Sequence, residues 1–400
     1  MERVVVTGLA YVTSLGFGHD DHEPALREGR SGVGPITRFP TDGFRTRMAG
    51  QVDERALEKR LLDRFPAKAI RRLGVDTRML LWAAGGALDD AKLRPSRPLP
   101  AVVGTTLEGF LQMETWYDEH LHGRNARPTR LLTATGGAQL AGVASLLGVP
   151  LEPAIVSNAC ATGITAIGRV FRRIRAGACE AGIAGGYDCV TRFVHLGFDS
   201  LGATTTTKCS PFDRARSGFF IGDGAAIVVL ESLASAERRG ARIRAEIVGF
   251  GESADCHHHT QPDPEGKGVS RAVRDAAAMA GVKAADIGYI NAHGTATPAN
   301  DAAESRGIVA ALGEEATRIP ISSTKPLVGH TLGAAGAVEQ CFCLLALERG
   351  FVPPQANLSE HDPACRVNVA RSADGRPEVA MNNAFGFGGA NGVLVARRWP

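Results

Sequence analysis

Four hundred residues, 44% apolar and 22% charged, describe an ordinary globular chain, long enough to bury a large core as one domain or two coupled halves. A net charge of +3 is too small to argue for nucleic acid, and no apolar run approaches the roughly 18 residues of a membrane helix. Eight cysteines without a C-x-x-C pair make neither a disulfide scaffold nor a metal finger, and fit a reducing cytoplasm.

The chain opens on Val4-Val5-Val6, a core strand closed by Thr7-Gly8, and lacks the charged start and long apolar stretch of a signal peptide. A short helix over 24–28 stops at Gly29, and residues 41–52 read as loop and strand. Helical periodicity runs over 67–90, with Lys68, Arg71 and Arg72 near its start. A strand at 101–103 and a small-residue helix at 134–147 lead to a strand at 154–156. Further strands are expected at 180–184 and 225–230, then a helix at 233–239.

From Ile243 the pattern starts again: strand 243–250, helix 269–280 stopped by Gly281, strand 287–291, helix 302–312, strand 319–323, a long helix over 332–349, and strands at 367–369, 379–383 and 392–396. Strands alternating with helices predict α/β layering around buried sheets. The restart predicts two similar halves, 1–242 and 243–400, with no obvious linker.

Three turns carry candidate chemistry. Cys160, in Asn158-Ala159-Cys160-Ala161-Thr162-Gly163, falls where a strand becomes a helix. Free N–H groups and the helix dipole at such a place favour thiolate, and the small neighbours leave room for a substrate. A buried structural cysteine is the alternative. His293, in Asn291-Ala292-His293-Gly294-Thr295, follows a buried strand at its carboxyl end, where open α/β sheets gather ligands. His330, in Val328-Gly329-His330-Thr331-Leu332-Gly333, lies in a second strand-to-helix turn.

One thiol and two imidazoles admit three chemistries. A thiol-protease-like pair needs one histidine and an orienting partner. Metal ligation needs a spacing that these residues lack. A thioester acyl-enzyme suits both histidines, which as neutral imidazoles would donate hydrogen bonds to a carbonyl as negative charge develops on it.

The motifs together resemble those of the condensing enzymes of the thiolase superfamily, the β-ketoacyl-acyl-carrier-protein synthases of the elongating Cys-His-His type. The likeness covers nearly the whole chain. It runs from Arg27-Glu28-Gly29-Arg30-Ser31-Gly32-Val33 through the Cys160 motif, Pro211-Phe212-Asp213-Arg214 and Gly222-Asp223-Gly224 to Asn383-Ala384-Phe385-Gly386-Phe387-Gly388-Gly389. It implies a thiolase-like fold, two pseudo-repeated halves in an α/β/α/β/α unit, and a dimer.

By that resemblance, Cys160 is expected to take an acyl group from an acyl carrier protein, and His293 and His330 to promote malonyl decarboxylation. Lys325 matches the family's active-site lysine, and Glu339 supports it. Asp301 and Glu304 match acidic positions of the same network; capping of a helix N-terminus is the alternative. The N–H groups of Cys160 and Phe387 would form an oxyanion hole, Phe387 would gate the acyl pocket, and Thr295 and Thr297 would hold the phosphopantetheine arm. That arm arrives on the carrier, so no resident cofactor and no metal are implied.

Other residues depart from the family pattern. Phe193 and Val194 are bulkier than the small residues usual there, and with the pocket aromatic Phe198 they predict a narrowed acyl cavity; for Val194, ordinary core packing is equally open. The run Cys256-His257-His258-His259-Thr260 reads as a pocket-edge loop, with metal binding as the alternative. Lys68, Arg71, Arg72, Arg124, Arg127 and Arg130 are expected at the carrier-protein entrance, with plain solvated surface as the alternative. The expected activity is decarboxylative condensation in fatty-acid or type II polyketide or polyene elongation, by a homodimer or by a heterodimer with a chain-length-factor-like homologue. The competing reading is that non-catalytic chain-length partner itself, which typically lacks the cysteine.

Overall fold

The computed structural model describes residues 1–400. In its first half, strand β1 (Val4–Thr13) is followed by helix α1 (Val75–Asp90), β2 (Leu99–Gly104), α2 (Gly136–Leu147), β3 (Leu151–Val156), α3 (Thr162–Arg175), β4 (Ala181–Asp188) and β5 (Gly224–Ser232). The second half repeats the series as β6 (Ala245–Ala254), α4 (Lys267–Ala280), β7 (Tyr289–Asn291), α5 (Pro298–Leu312), β8 (Pro320–Ser322), α6 (Ala335–Arg349), β9 (Val379–Gly386) and β10 (Ala390–Arg398).

The repetition extends to topology. Strand order is β3-β2-β4-β5-β1 in the first half and β8-β7-β9-β10-β6 in the second, with Asn368–Val369 added at the far edge. In each half three strands run parallel, and the other two pair antiparallel. The halves are not separate bodies. Val4, Val5 and Val6 of β1 pair antiparallel with Ile247, Glu246 and Ala245 of β6, so hydrogen bonding is continuous from one sheet into the other.

Helices α3 and α6 lie between the two sheets, while α1 and α2 cover one outer face and α4 and α5 the other. The central helix α6 is buried from Ala335 to Leu347, as a helix with apolar residues on every side must be. Cys341 and Cys343 are core residues there, joined with Ile164, Val170 and Phe171 of α3 in one cluster. Gly163 lets the two helices approach: a Cβ there would lie 2.5 Å from the Ala337 nitrogen. Truncating a side chain in this layer, Phe342→Ala, would cost about 3–5 kcal/mol.

The helix expected over 67–90 is broken. Ala67–Ile70 forms one turn, and α1 begins at Val75. Gly74 separates them with an extended ψ, and a Cβ on it would lie 2.4 Å from the Asp76 carboxylate. Three helices of nine residues or more fall outside the expected elements, Glu54–Leu62, Phe110–Leu121 and Arg192–Ser200; the second buries none of its residues. No helix is long and apolar enough to cross a membrane.

Candidate active site

The nucleophile turn is built by local hydrogen bonds. β3 ends at Val156, Ala159 takes a left-handed φ of +45°, and α3 starts at Thr162. The Asn158 N–H donates to the Thr162 hydroxyl, which donates to the Ala159 carbonyl. The Asn158 amide donates to Thr165 Oγ1, and that hydroxyl to Glu252 on β6, so the second half also braces the turn. Cys160 is left facing a cleft of about 340 Å³ that His293 and His330 also line.

The gate segment closes on this turn. A Cβ on Gly386 would lie 2.8 Å from the Cys160 nitrogen, so only glycine passes there, and the Phe387 N–H lies close enough to the thiol to favour its anion. The segment is tied on its other side to the loop that follows β6. Gly388 N–H donates to the His259 carbonyl at 2.8 Å, and Asp255 N–H to the Gly389 carbonyl at 2.9 Å. The exposed histidine run thus meets the pocket edge through its backbone, and its side chains join no cluster of metal-ligating type.

His293 follows β7, and its loop is held by one carboxylate. Glu304 accepts the N–H groups of His293 and Gly294, each at 2.9 Å, and the Asn383 amide at 3.1 Å. Asp301 accepts from Phe212 N–H at 2.8 Å and Ala296 N–H at 3.1 Å. Both acids shape the backbone around the histidine and touch neither imidazole. The hydroxyls of Thr295 and Thr297 stand 3.0 Å apart on the cleft wall.

His330 is fixed in one tautomer. Its Nδ1 accepts the Leu332 N–H at 3.2 Å, so in the neutral ring the proton is on Nε2. The two imidazoles stand 5.4 Å apart, nearly perpendicular at 79°. Burial, and then the Lys325 cation, hold both well below the usual histidine range, so both are neutral donors near pH 7. Lys325 is fully buried behind them and donates to Glu339, whose carboxyl burial pushes up to about 7 against the pull of the lysine.

The thiol departs from expectation. At the start of α3 it should be acidified, yet burial pushes it up to about 12, while Lys325 and the Phe387 N–H pull it down. Desolvation of the anion outweighs the helix end at this buried position.

The aromatic residues divide. Phe198 lines the cleft, its ring 5.7 Å from Phe387 and 5.5 Å from Phe219, which in turn lies 5.0 Å from His330. Val194 is buried behind it, in the same apolar cluster. Phe193 does not narrow the cavity: it is 60% exposed and stacks on Phe110 in a separate surface groove with Trp116 and Leu196. Helix Arg192–Ser200 turns Phe193 and Phe198 to different faces.

None of the six basic residues lines the cleft. All but the half-buried Arg130 are exposed. Arg124 pairs with Asp118 and Arg130 with Glu119, while Lys68, Arg71, Arg72 and Arg127 make no ion pair. Sequence reasoning missed the Asn158–Thr165–Glu252 brace and the Asp255 tie, which no local pattern marks.

The cleft therefore combines one thiol, two neutral imidazole donors and an N–H beside the sulfur. Models of known families match most of the chain: Beta-ketoacyl synthase, N-terminal domain, over residues 1–236, and Beta-ketoacyl synthase, C-terminal domain, over 244–359. Curated relatives include 3-oxoacyl-[acyl-carrier-protein] synthase 2 of Synechocystis sp., 36% identical over 100% of this chain and 98% of that protein. The protein of the same name from Coxiella burnetii is 35% identical over 99% and 98%. Among solved structures, the ishigamide ketosynthase/chain length factor superposes with a TM-score of 0.93 at 35% identity, each chain fully covered. A type II PKS acyl-carrier protein in complex with its ketosynthase bound to the hexaketide gives a TM-score of 0.87 at 30% identity, again with full coverage of both.

Proposed function

This chain belongs to the beta-ketoacyl synthase family, and from that membership we propose how its cleft works. The protein is an acyltransferase, an elongating 3-oxoacyl-[acyl-carrier-protein] synthase of fatty-acid or type II polyketide assembly. Its partners are an acyl carrier protein and a second ketosynthase-like chain, either a copy of itself or a chain-length-factor-like homologue.

The Cys160 sulfur attacks the carrier-bound acyl thioester. The carbonyl oxygen gathers charge between the N–H groups of Cys160 and Phe387, and the carrier leaves as its thiol with the proton that the cysteine gives up. Malonyl-carrier then enters along Thr295 and Thr297. Its carboxylate carbon–carbon bond breaks, CO2 departs, and the electron pair moves onto the thioester oxygen as an enolate. His293 and His330 donate to that oxygen, each from a neutral ring. The enolate carbon attacks the acyl-cysteine carbonyl, Cys160 thiolate is expelled and takes a proton from solvent to restore the thiol, and the chain leaves two carbons longer. Loss of CO2 drives the bond formation, so the scheme calls on no resident redox group or metal. A cytoplasmic location belongs to this reading.

One observation carries the proposal: Cys160 and both histidines, from distant parts of the sequence, face one cleft. The same triad argues against a non-catalytic chain-length partner. Intact-protein mass spectrometry after mixing with a panel of acyl-carrier thioesters tests it. An acyl adduct on Cys160 is expected, and its absence with every thioester would refute the nucleophile assignment.

A further inference from the structure

We propose that Asp188 is a positioning residue that sets the tautomer of His330 through the turn Leu332–Ala334. The proposal rests on the reading of His330 as the donor to the enolate oxygen. Asp188 ends β4, on the first half of the chain, and is fully buried. Its carboxylate is saturated with donors. Oδ1 accepts the Thr105 hydroxyl at 2.6 Å and the Leu107 N–H at 3.1 Å; Oδ2 accepts the Thr106 hydroxyl at 2.6 Å and the Gly333 N–H at 2.7 Å. The Thr106 N–H lies 3.1 Å from Oδ2 and 3.2 Å from Oδ1. Every one of these donors is neutral, so nothing but hydrogen bonds compensates the charge.

The Gly333 contact matters for chemistry because of its neighbour. Leu332 adopts φ +54°, a left-handed conformation costly for a side chain that large, and its N–H is the group His330 Nδ1 accepts. Two consecutive N–H groups thus point in two directions, one to the imidazole and the next to Asp188. The carboxylate holds the strained residue in place, and the strained residue reserves Nδ1 as an acceptor. The contact is tight: a Cβ on Gly333 would lie 2.6 Å from Asp188 Oδ2 and 2.9 Å from the Thr106 nitrogen. The three acids of the second half do not do this for His330: Glu304 and Asp301 accept backbone donors elsewhere, and Glu339 pairs with Lys325. Burial raises the Asp188 carboxyl to about 6 despite its hydrogen bonds, so the anion that accepts the Gly333 N–H is lost as pH falls through that value; the ionisable groups that feel its charge, Tyr187, Cys189 and the Cys160 thiol, are all raised by burial and stay protonated across that range.

The test uses the full chain, malonyl-pantetheine as a carrier-free probe, and 15N NMR of histidine-labelled enzyme. In the unaltered protein, His330 is expected with a protonated Nε2 and a bare Nδ1. In Asp188→Asn the amide group must turn a donor toward one pair of donors. A mixed or inverted His330 tautomer is expected, with CO2 release lowered by about tenfold or more and little change in KM. Acylation of Cys160 by an acyl-pantetheine should persist. Thr106→Val keeps the carboxylate but removes a hydrogen bond that favours its charged form, so the pH midpoint at which the His330 15N tautomer signature changes should move to higher pH. An unchanged tautomer with CO2 release within about twofold of the parent, in folded Asp188→Asn, overturns the proposal. Should that variant fail to fold, a His330 15N tautomer signature with the same pH midpoint in Thr106→Val as in the parent overturns it. Absence of CO2 release from the parent enzyme would instead refute the decarboxylation reading, and the tautomer measurement would still report on Asp188.

Discussion

The Lys325 ammonium donates to the Glu339 carboxylate, and both side chains are buried behind the imidazoles of His293 and His330. Removing one partner of a buried pair leaves an uncompensated charge, which costs about 3–5 kcal/mol. Lys325→Met should therefore lose stability of that order, and Lys325→Met combined with Glu339→Gln should recover much of it. Denaturant titration of both variants checks this. Because the lysine also helps hold both imidazoles neutral, the single variant should show a His293 or His330 titration closer to the ordinary range.

Replacing Cys160 with Gln should abolish acylation but leave malonyl decarboxylation measurable, since both histidines and the Phe387 N–H remain. His293→Ala or His330→Ala should do the reverse. CO2 release should fall by about 10²-fold or more, the usual size of a lost oxyanion donor, while acyl transfer to Cys160 stays detectable. Radiolabelled CO2 release and mass spectrometry separate the two half-reactions; near-normal CO2 release from either alanine variant would count against the histidines.

Glu304 gives a signed pH dependence. Its carboxyl, raised by burial to about 7, binds a proton in the folded chain over a range where the unfolded chain has lost it. The contribution of this group to stability is thus fully present below the ordinary glutamate range and is lost as pH rises from about 4.5 to 7. Relative to Glu304→Gln, the parent should lose stability across that window, by an amount on the order of 3 kcal/mol. Denaturant titrations of the two proteins at pH 5 and 7.5 measure it, and a constant difference would show that the carboxyl is not perturbed.

Phe198 faces the thiol and Phe193 does not, so only one of them should govern acyl selection in this cleft. Phe198→Ala should change which acyl chains load onto Cys160, whereas Phe193→Gly should leave the profile as it was. The same acyl-carrier panel reads both.

Lys68, Arg71, Arg72 and Arg127 are exposed and unpaired. Reversing two of these charges should raise KM for acyl-carrier substrates and flatten its salt dependence, with no effect on a pantetheine thioester that lacks the carrier. Equal losses with both substrates would place the defect elsewhere.

The outline of this molecule was legible in the chain. Apolar periodicity marked the strands and central helices of both halves, because each is buried on faces that periodicity reports. The thiol and both histidines were legible as strand-end turns. What escaped has a common physical cause: contacts between residues far apart in sequence. Nothing near Glu252 tells that it braces Asn158 through Thr165, and nothing near Asp188 tells that it meets Gly333. Phe193 was misplaced because a bulky residue beside a pocket aromatic reads the same whichever face of the helix it occupies. The acidified thiol failed differently. The helix start was present as expected, but only three-dimensional burial reveals the desolvation that opposes it.

The most direct measurement follows both half-reactions on one sample. The enzyme is mixed with an acyl-carrier and malonyl-carrier whose free carboxylate is labelled, and intact mass, released CO2 and product length are read together. The account predicts an acyl adduct confined to Cys160, one CO2 for each adduct consumed, and a product longer by two carbons with a new keto group. Condensed product formed at the parental rate by the Cys160→Gln enzyme would contradict it.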